Sequence, residues 1–239
     1  MARARKHHEQ LTLRKVVPQK RKPGAGRPKK GKYASQCHKT RPEITRHQPI
    51  LITARIQRGT ASLRRGKIYQ AIRRALRRAI ARADFRVVHF SIQANHLHML
   101  AEADHKKALS RGMQGLLISA ARHINRAWQR EGTVFPDRYH ERIIKSPRQC
   151  HNAIRYVLNN WRRHREDLVG EPSNWTLDRF SSAVSFPGWK ELGGGKTWAV
   201  PPDYEPLPVA RPTTWLLTTG WKRHGLISAR DVPGSKDDL

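Results

Sequence analysis

Two histidines one residue apart, His96 and His98, stand in the run N-H-L-H-M-L-A-E-A at positions 95–103. In a strand, alternate residues share a face. His96 and His98 then point the same way, with Leu100 and Glu102. Leu97, Met99, Ala101 and Ala103 point the other way, into a core. Two imidazoles about 7 Å apart on one sheet face can hold one divalent cation. The plainer reading is a pair of surface histidines. A second chemical candidate lies in A-I-R-Y-V-L-N-N-W at positions 153–161. Ile154, Val157, Leu158 and Trp161 make an apolar helical stripe. At about 100° per residue, Tyr156 and Asn160 fall off that stripe and are i, i+4 neighbours. An amide oxygen there can complete a metal site while the phenol attacks phosphate. The plainer reading is an exposed tyrosine beside a helix-surface amide.

The elements that must position these groups are legible from periodicity. Residues 48–56 are β-branched and aliphatic, a first strand. A helix follows at about 64–83, with Ile68, Ala71, Ile72, Leu76 and Ile80 on its apolar stripe. Its other face carries Arg73, Arg74, Arg77, Arg78 and Arg82, either a solvated face or a phosphate-contacting one. Residues 85–93 and 95–103 read as a hairpin turning at Ala94-Asn95. A second helix spans about 106–130, with Leu109, Met113, Leu116, Leu117 and Ile124 on one face. A fourth strand lies at about 140–145. Ser146-Pro147 then opens a third helix, about 148–165, because serine caps and proline suits the first turn. The order β-α-β-β-α-β predicts an α+β fold: a ferredoxin-like four-stranded antiparallel sheet with helices on one face. The tyrosine-bearing helix is additional to that unit.

Three regions are expected: a basic, mostly disordered arm at 1–43, the central domain at 44–168, and a C-terminal extension at 169–239. The first 32 residues hold twelve Lys or Arg and one acid, Glu9. The extension is rich in Pro, Gly and Trp. Trp175, Phe180, Phe186, Trp189, Trp198, Trp215 and Trp221 are available to pack it onto the domain, and a short helix near 213–222 is expected. Over the whole chain, 48 Lys and Arg against 18 Asp and Glu leave a formal charge of +30. That balance calls for a polyanion. Arginine outnumbers lysine, and its planar fork suits phosphates and base edges. No apolar run is long enough to span a membrane, and the N-terminus lacks a signal-peptide pattern. Cys37 and Cys150 form no ligand spacing and no disulfide framework, in keeping with a reducing, cytosolic setting.

Three ordered segments resemble the single-tyrosine HUH (His-hydrophobic-His) transposases of the IS200-like superfamily, and within them the REP-associated tyrosine transposases. They are H-F-S-I-Q-A-N-H-L-H-M-L-A-E-A, G-T-V-F-P-D-R-Y-H and A-I-R-Y-V-L-N-N-W, and the resemblance covers roughly residues 45–165. It implies that His96 and His98 bind the metal, Mg²⁺ or Mn²⁺, that Asn160 completes the metal site, and that Tyr156 is the nucleophile. One departure is visible: many family members follow that Asn with Pro, whereas Trp161 stands here. Tyr139, in R-Y-H, is a rival tyrosine ahead of the fourth strand. The implied activity is nicking and rejoining of single-stranded DNA at hairpin repeats through a 5′-phosphotyrosine link. The expected partner is DNA, single-stranded and hairpin, with no membrane and no nucleotide cofactor. Gly193-Gly194-Gly195 lacks the phosphate-cradling pattern. A monomer is favoured over a homodimer, and the setting is a prokaryotic cytoplasm and nucleoid. Candidate nucleic-acid contacts are Arg27, Lys29 and Lys30 in the arm, Arg73 and Arg77 on the first helix, and Arg155 and Arg162 beside the tyrosine. Gly26-Arg27-Pro28 resembles the centre of an AT-hook, with Ala25 in place of the usual preceding Arg; a plain polybasic arm is the simpler reading.

Two other readings compete. A non-cleaving DNA or RNA binder on the same fold would read RNA through exposed aromatics on the central strands, where this chain has histidines. A metal hydrolase using Glu102 as third ligand needs that carboxylate near His98, yet the two lie roughly 13 Å apart along an extended strand.

Overall fold

The structure is a computed structural model and describes residues 41–166, 176–200 and 207–234. The arm candidates Arg27, Lys29 and Lys30, the Gly26-Arg27-Pro28 motif, Cys37 and Trp175 lie outside the described residues. In chain order the elements are β1 (Ile50–Arg55), α1 (Gly66–Ile80), β2 (Phe85–Ile92), β3 (His96–Ala103), α2 (Lys106–Trp128), β4 (His140–Ile143), α3 (Pro147–Arg163) and α4 (Trp215–Thr218). Short 3-10 turns at Ala183–Ser185, Lys190–Leu192 and Gly220–His224 punctuate the C-terminal segment. The sheet order is β2-β3-β1-β4, and every pairing is antiparallel. This is the split β-α-β arrangement that the element order predicts. Among the described residues no helix is long and apolar enough to cross a membrane.

Local chemistry explains the ends. Ser146 Oγ accepts from Gln149 N, and Pro147 opens α3 where its missing N–H costs nothing. α2 is capped by His105 Nδ1, which accepts from Ala108 N, and ends at Gln129 in the left-handed region (φ 51°). Gly112 lets α2 lie flat on the sheet: a Cβ there would sit 2.3 Å from the Phe85 ring. The hairpin turns over Ala94 and Asn95, closed by Gln93 N donating to His96 O at 2.9 Å.

The sheet is covered on both faces. Leu97, Met99, Ala101 and Ala103 of β3 join the core made with α1 and α2, as their alternation requires. Leu100 belongs to a second core, built with α3 and with Phe186, Trp189, Leu217 and Trp221 of the C-terminal segment. The face that carries the histidines is therefore roofed. α3 lies on it, so the aromatic-on-open-sheet mode of RNA recognition has no surface to use.

The C-terminal segment is tied to the domain by polar groups as well. Phe180 O accepts from Ile92 N (3.0 Å), Ser182 N donates to Phe90 O (2.9 Å), and Ala210 N donates to Val87 O (2.8 Å), which closes the outer edge of β2. Glu102, fully buried, accepts from Thr213 N (2.9 Å), Thr214 N (2.7 Å) and Thr213 Oγ1 (2.8 Å) and pairs with Arg86 (3.3 Å). Burial pushes this carboxyl up, but the hydrogen bonds from Thr214 and Thr213 outweigh it and hold its pKa below the ordinary value. Glu102 is thus an anchor for α4, not a third metal ligand. Cys150 is buried and free, its thiol pushed up to about 12 by burial and by the Glu102 charge.

Two expectations about α1 change. Ile80 is exposed at the end of the helix. Arg73 is buried, at 3% exposure, and its Nη1 lies 3.2 Å from Tyr69 Oη. Phe180 of the C-terminal segment packs edge-on against Tyr69 at 5.3 Å, which widens the covered arc of α1 beyond its apolar stripe. Arg73 therefore does not join a phosphate-facing surface.

Glu102→Gln at pH 7 is expected to destabilise the protein by roughly 2–3 kcal/mol, because a charged acceptor of several hydrogen bonds is lost. Since the folded-state pKa is lowered, the contribution of Glu102 is present above the unfolded-state value and disappears as pH falls through the folded one. Denaturant melts of wild type and variant should therefore converge as the pH drops below the carboxylate range. A difference that persists there would mean that packing, not charge, is what Glu102 supplies.

Candidate metal and nucleophile site

β3 presents His96 and His98 on the face that α3 covers. In the sheet register His98 stands opposite Thr53 of β1 and Ser91 of β2. The imidazole rings lie 4.5 Å apart, centroid to centroid, at 85°. Both are buried, at 8% for His96 and 2% for His98. Each is oriented through Nδ1. His96 Nδ1 sits 2.6 Å from Asn95 Oδ1, and the tautomer that donates to this oxygen carries its lone pair on Nε2. His98 Nδ1 lies 3.1 Å from Thr53 Oγ1. The tautomer that donates to Thr53 leaves His98 Nε2 facing α3. Fixing one ring nitrogen by a hydrogen bond so that the other can ligate is the usual arrangement of metal-binding histidines.

α3 brings the other two groups. Tyr156 Oη lies 3.4 Å from His98 Nε2, with ring centroids 4.9 Å apart. Asn160, one turn later, is fully buried, and neither its Oδ1 nor its Nδ2 has a hydrogen-bond partner. An amide buried with both ends unmatched is costly. The sequence placed Tyr156 and Asn160 away from the apolar stripe, with exposure as the plainer reading. Both are buried, and Tyr156 belongs to the same cluster as Ile154, Val157 and Leu158, which α3 shares with Leu51, Val88 and Leu100 of the sheet and with the C-terminal segment. Trp161, in the place where proline is frequent, keeps the helix unbroken to Arg163 and lets His164 N bond to Asn160 O (3.2 Å). The rival Tyr139 belongs to the core on the opposite face of the sheet, with Arg41 stacked over its ring at 3.8 Å. Burial raises its pKa against the pull of Arg41 and Arg138. It is out of reach of the histidines.

Several contributors were not foreseen. Thr53 and Asn95 orient the two imidazoles. His164, four residues past Asn160 on the same face, places its ring 5.3 Å from that of His96; its helical spacing was a readable signal. Arg64 binds Asp178 with both terminal nitrogens (3.0 and 2.9 Å), donates to Ile92 O (2.9 Å) and pairs with Glu166. Glu166 in turn accepts from Ala94 N at 2.9 Å. The turn that carries Asn95 and His96 is thereby latched to the end of α3. Burial raises the pKa of both carboxyls, opposed by Arg64. Of the two flanking arginines, Arg155 is half-buried with an unpartnered Nε. Arg162 spends its guanidinium on Ala229 O and Thr176 O, both at 2.9 Å, and so braces the C-terminal segment rather than reaching outward.

The donor set suits a divalent cation. Among the described residues no three His, Cys, Asp or Glu side chains group as a metal site. A cation here would take His96, His98 and the orphaned amide oxygen of Asn160, leaving the remaining positions to water or substrate oxygen. That set, nitrogen with oxygen and no thiolate, fits.

The chain matches the IS200-like transposase family over residues 50–160, from the first residue of β1 to Asn160. This domain belongs to the IS200-like transposases. The transposase domain also has a solved counterpart in fold. The structure of a REP-associated tyrosine transposase bound to a REP hairpin superposes with a TM-score of 0.50 at 14% identity, covering 75% of this chain and 100% of that one. A candidate transposase from Deinococcus radiodurans R1 aligns at a TM-score of 0.34 and 10% identity, over 56% of this chain and 96% of its own, too low to argue from. No curated protein matches the chain by sequence.

Replacing Asn160 with Leu in chelator-treated protein should raise stability by about 1–3 kcal/mol, because it removes an unmatched buried amide. Thermal melts in the presence of a chelator check this. A loss of stability instead would show that the amide is satisfied in solution.

Proposed function

We propose that this transposase domain nicks and rejoins single-stranded DNA at hairpin repeats, with Tyr156 as nucleophile. The observation that carries the reading is the approach of Tyr156 Oη to His98 Nε2, beside the unpartnered amide of Asn160. A phenol has an ordinary pKa of about 10 and is a weak nucleophile at neutral pH. His96, His98 and Asn160 would hold Mg²⁺ or Mn²⁺, and the bound cation supplies Lewis acidity to the scissile phosphate. The chain's own residues do the rest. Tyr156 Oη attacks phosphorus, loses its proton, and expels the 3′-oxygen of the preceding nucleotide, which leaves as a hydroxyl. A 5′-phosphotyrosine results. The link conserves the phosphodiester bond, so a second 3′-hydroxyl can reverse the step and join strands without ATP.

Thr53 and Asn95 keep both rings aimed, and the Arg64–Glu166 latch holds the hairpin turn against α3. Tyr156 and His96 keep a little surface, 6% and 8%, so the strand enters at their edge. Arg155, adjacent to the nucleophile, is the arginine best placed to meet a flanking phosphate. One chain supplies both the histidines and the tyrosine, which supports a monomer as the working unit. The hairpin as substrate rests on the fold shared with the REP-associated transposase, whose structure holds a REP hairpin.

The test is a labelled single-stranded hairpin with flanks, incubated with the protein and Mn²⁺ or Mg²⁺, then run on a denaturing gel. A metal-dependent covalent adduct is expected for wild type. Tyr156→Phe should bind the oligonucleotide and form no adduct; His96→Ala and His98→Ala should lose both the adduct and the metal-induced rise in melting temperature. Binding without any adduct under either metal would leave a repeat-binding protein as the better description.

A further inference from the structure

Gln93 follows β2 at the start of the hairpin turn and is fully buried. Phe90 and Ile92 belong to the core made with α1 and α2, so Ser91 and Gln93 fall on the other face, the one that α3 covers. The register agrees: Ser91 stands opposite His98, and Gln93 N donates to His96 O across the hairpin. Gln93 is therefore to His96 what Ser91 is to His98, its neighbour on the adjoining strand. Opposed residues on one face keep their Cβ atoms about 4.5–5.5 Å apart.

The Gln93 amide is only half matched. Nε2 donates to Ser91 Oγ at 2.6 Å, while Oε1 is buried with no partner. The neighbours fix this orientation. Asp178 takes both terminal nitrogens of Arg64 as a carboxylate and accepts a further hydrogen bond from the Ser91 hydroxyl. Ser91 Oγ is left to accept, so Gln93 turns its NH2 towards Ser91 and its oxygen elsewhere. A buried carbonyl oxygen without a donor is costly. A methionine at this position would keep the backbone turn and carry no unmatched atom, so the fold alone does not account for the amide. Asn160 has the same signature, an amide oxygen buried without a donor, on the helix over the same face. Two orphaned amide oxygens thus accompany the two imidazoles, one from the hairpin and one from the roof.

We infer that Gln93 is a further ligand of the cation, its Oε1 joining His96, His98 and Asn160. The inference rests on the cation reading given above, and Gln93 takes one of the positions otherwise left to water or substrate oxygen. It also sets the choice of metal. Imidazoles suit softer ions such as Zn²⁺; a second amide oxygen raises the share of hard donors and moves the preference towards Mn²⁺ and Mg²⁺.

The experiment uses the full chain, freed of metal by a chelator. Mn²⁺ affinity is read from the EPR signal of the free ion, and Zn²⁺ is then titrated against bound Mn²⁺, so that only the shared site is scored. Gln93→Met should weaken Mn²⁺ about tenfold and Zn²⁺ by no more than about threefold, because the lost donor is a hard oxygen. Gln93→Glu puts a charged oxygen in the same place and should tighten Mn²⁺ about tenfold. Equal losses for the two metals in Gln93→Met, or no loss in a variant that melts like wild type in chelator, overturn the inference. So does Gln93→Glu without a gain. A check that needs no variant protein to bind metal is the NMR signal of the side-chain carbonyl carbons: Mg²⁺ should move those of both Asn160 and Gln93 in wild type, and movement of Asn160 alone overturns the role of Gln93. Mn²⁺ binding that survives His96→Ala combined with His98→Ala would instead sink the cation reading itself. Binding that needs both histidines and ignores position 93 sinks only the ligand proposed here.

Discussion

Strand β3 is buried on both faces, and the two faces ask for opposite chemistry. One presents Leu97, Met99, Ala101 and Ala103 to α1 and α2, an ordinary apolar contact. The other presents His96, His98 and Glu102, which must be removed from water and matched. Burying polar groups costs unless each finds a partner. Glu102 finds two backbone amides and an arginine. The histidines find Thr53 and Asn95 on one ring nitrogen each. Asn160 on the roof finds nothing. Among the described residues the amide of Asn160, beside the histidines and Tyr156, is one of the buried polar groups left with neither end matched. Local mismatch at a functional site, tolerated because the rest of the structure over-determines it, is a familiar trade.

The C-terminal segment makes that roof possible. A lone α3 would leave its apolar stripe in water. Phe186, Trp189, Leu217 and Trp221 cover it, and Arg162, Glu102 and Arg64 bolt the segment to helix, sheet and turn. Most of these bonds join groups far apart in sequence, so the segment is a structural part of the site it encloses. It also closes the outer edge of β2, where unpaired backbone would otherwise invite another chain.

Charge is distributed with equal economy. The described acids are few and mostly occupied: Glu102, Glu166 and Asp178 all lie in buried pairs that hold segments together. The helical layer on the far face keeps none. A molecule of such net charge gains little from scattered surface ion pairs. Its acids are spent where low dielectric makes a pair count, and its arginines are left for a polyanion.

The sequence by itself determined the order of elements, the alternation of β3, the caps of α3, and the identity of the four groups that could do chemistry. These follow from local rules: period two in strands, period 3.6 in helices, and serine-proline at a helix start. Their assembly was decided only in three dimensions. That α3 lies over the histidines and not on an outer flank, that Thr53 aims His98, and that Glu102 serves α4 instead of a metal all depend on pairings between residues far apart in the chain. Periodicity misassigned Arg73 for the same reason. Arg73 is buried beside Tyr69, whose ring meets Phe180, more than a hundred residues later in the chain, and no helical wheel contains a distant chain. A single sequence encodes which faces want burial; which partner buries each is settled by the competition of all of them for one small volume.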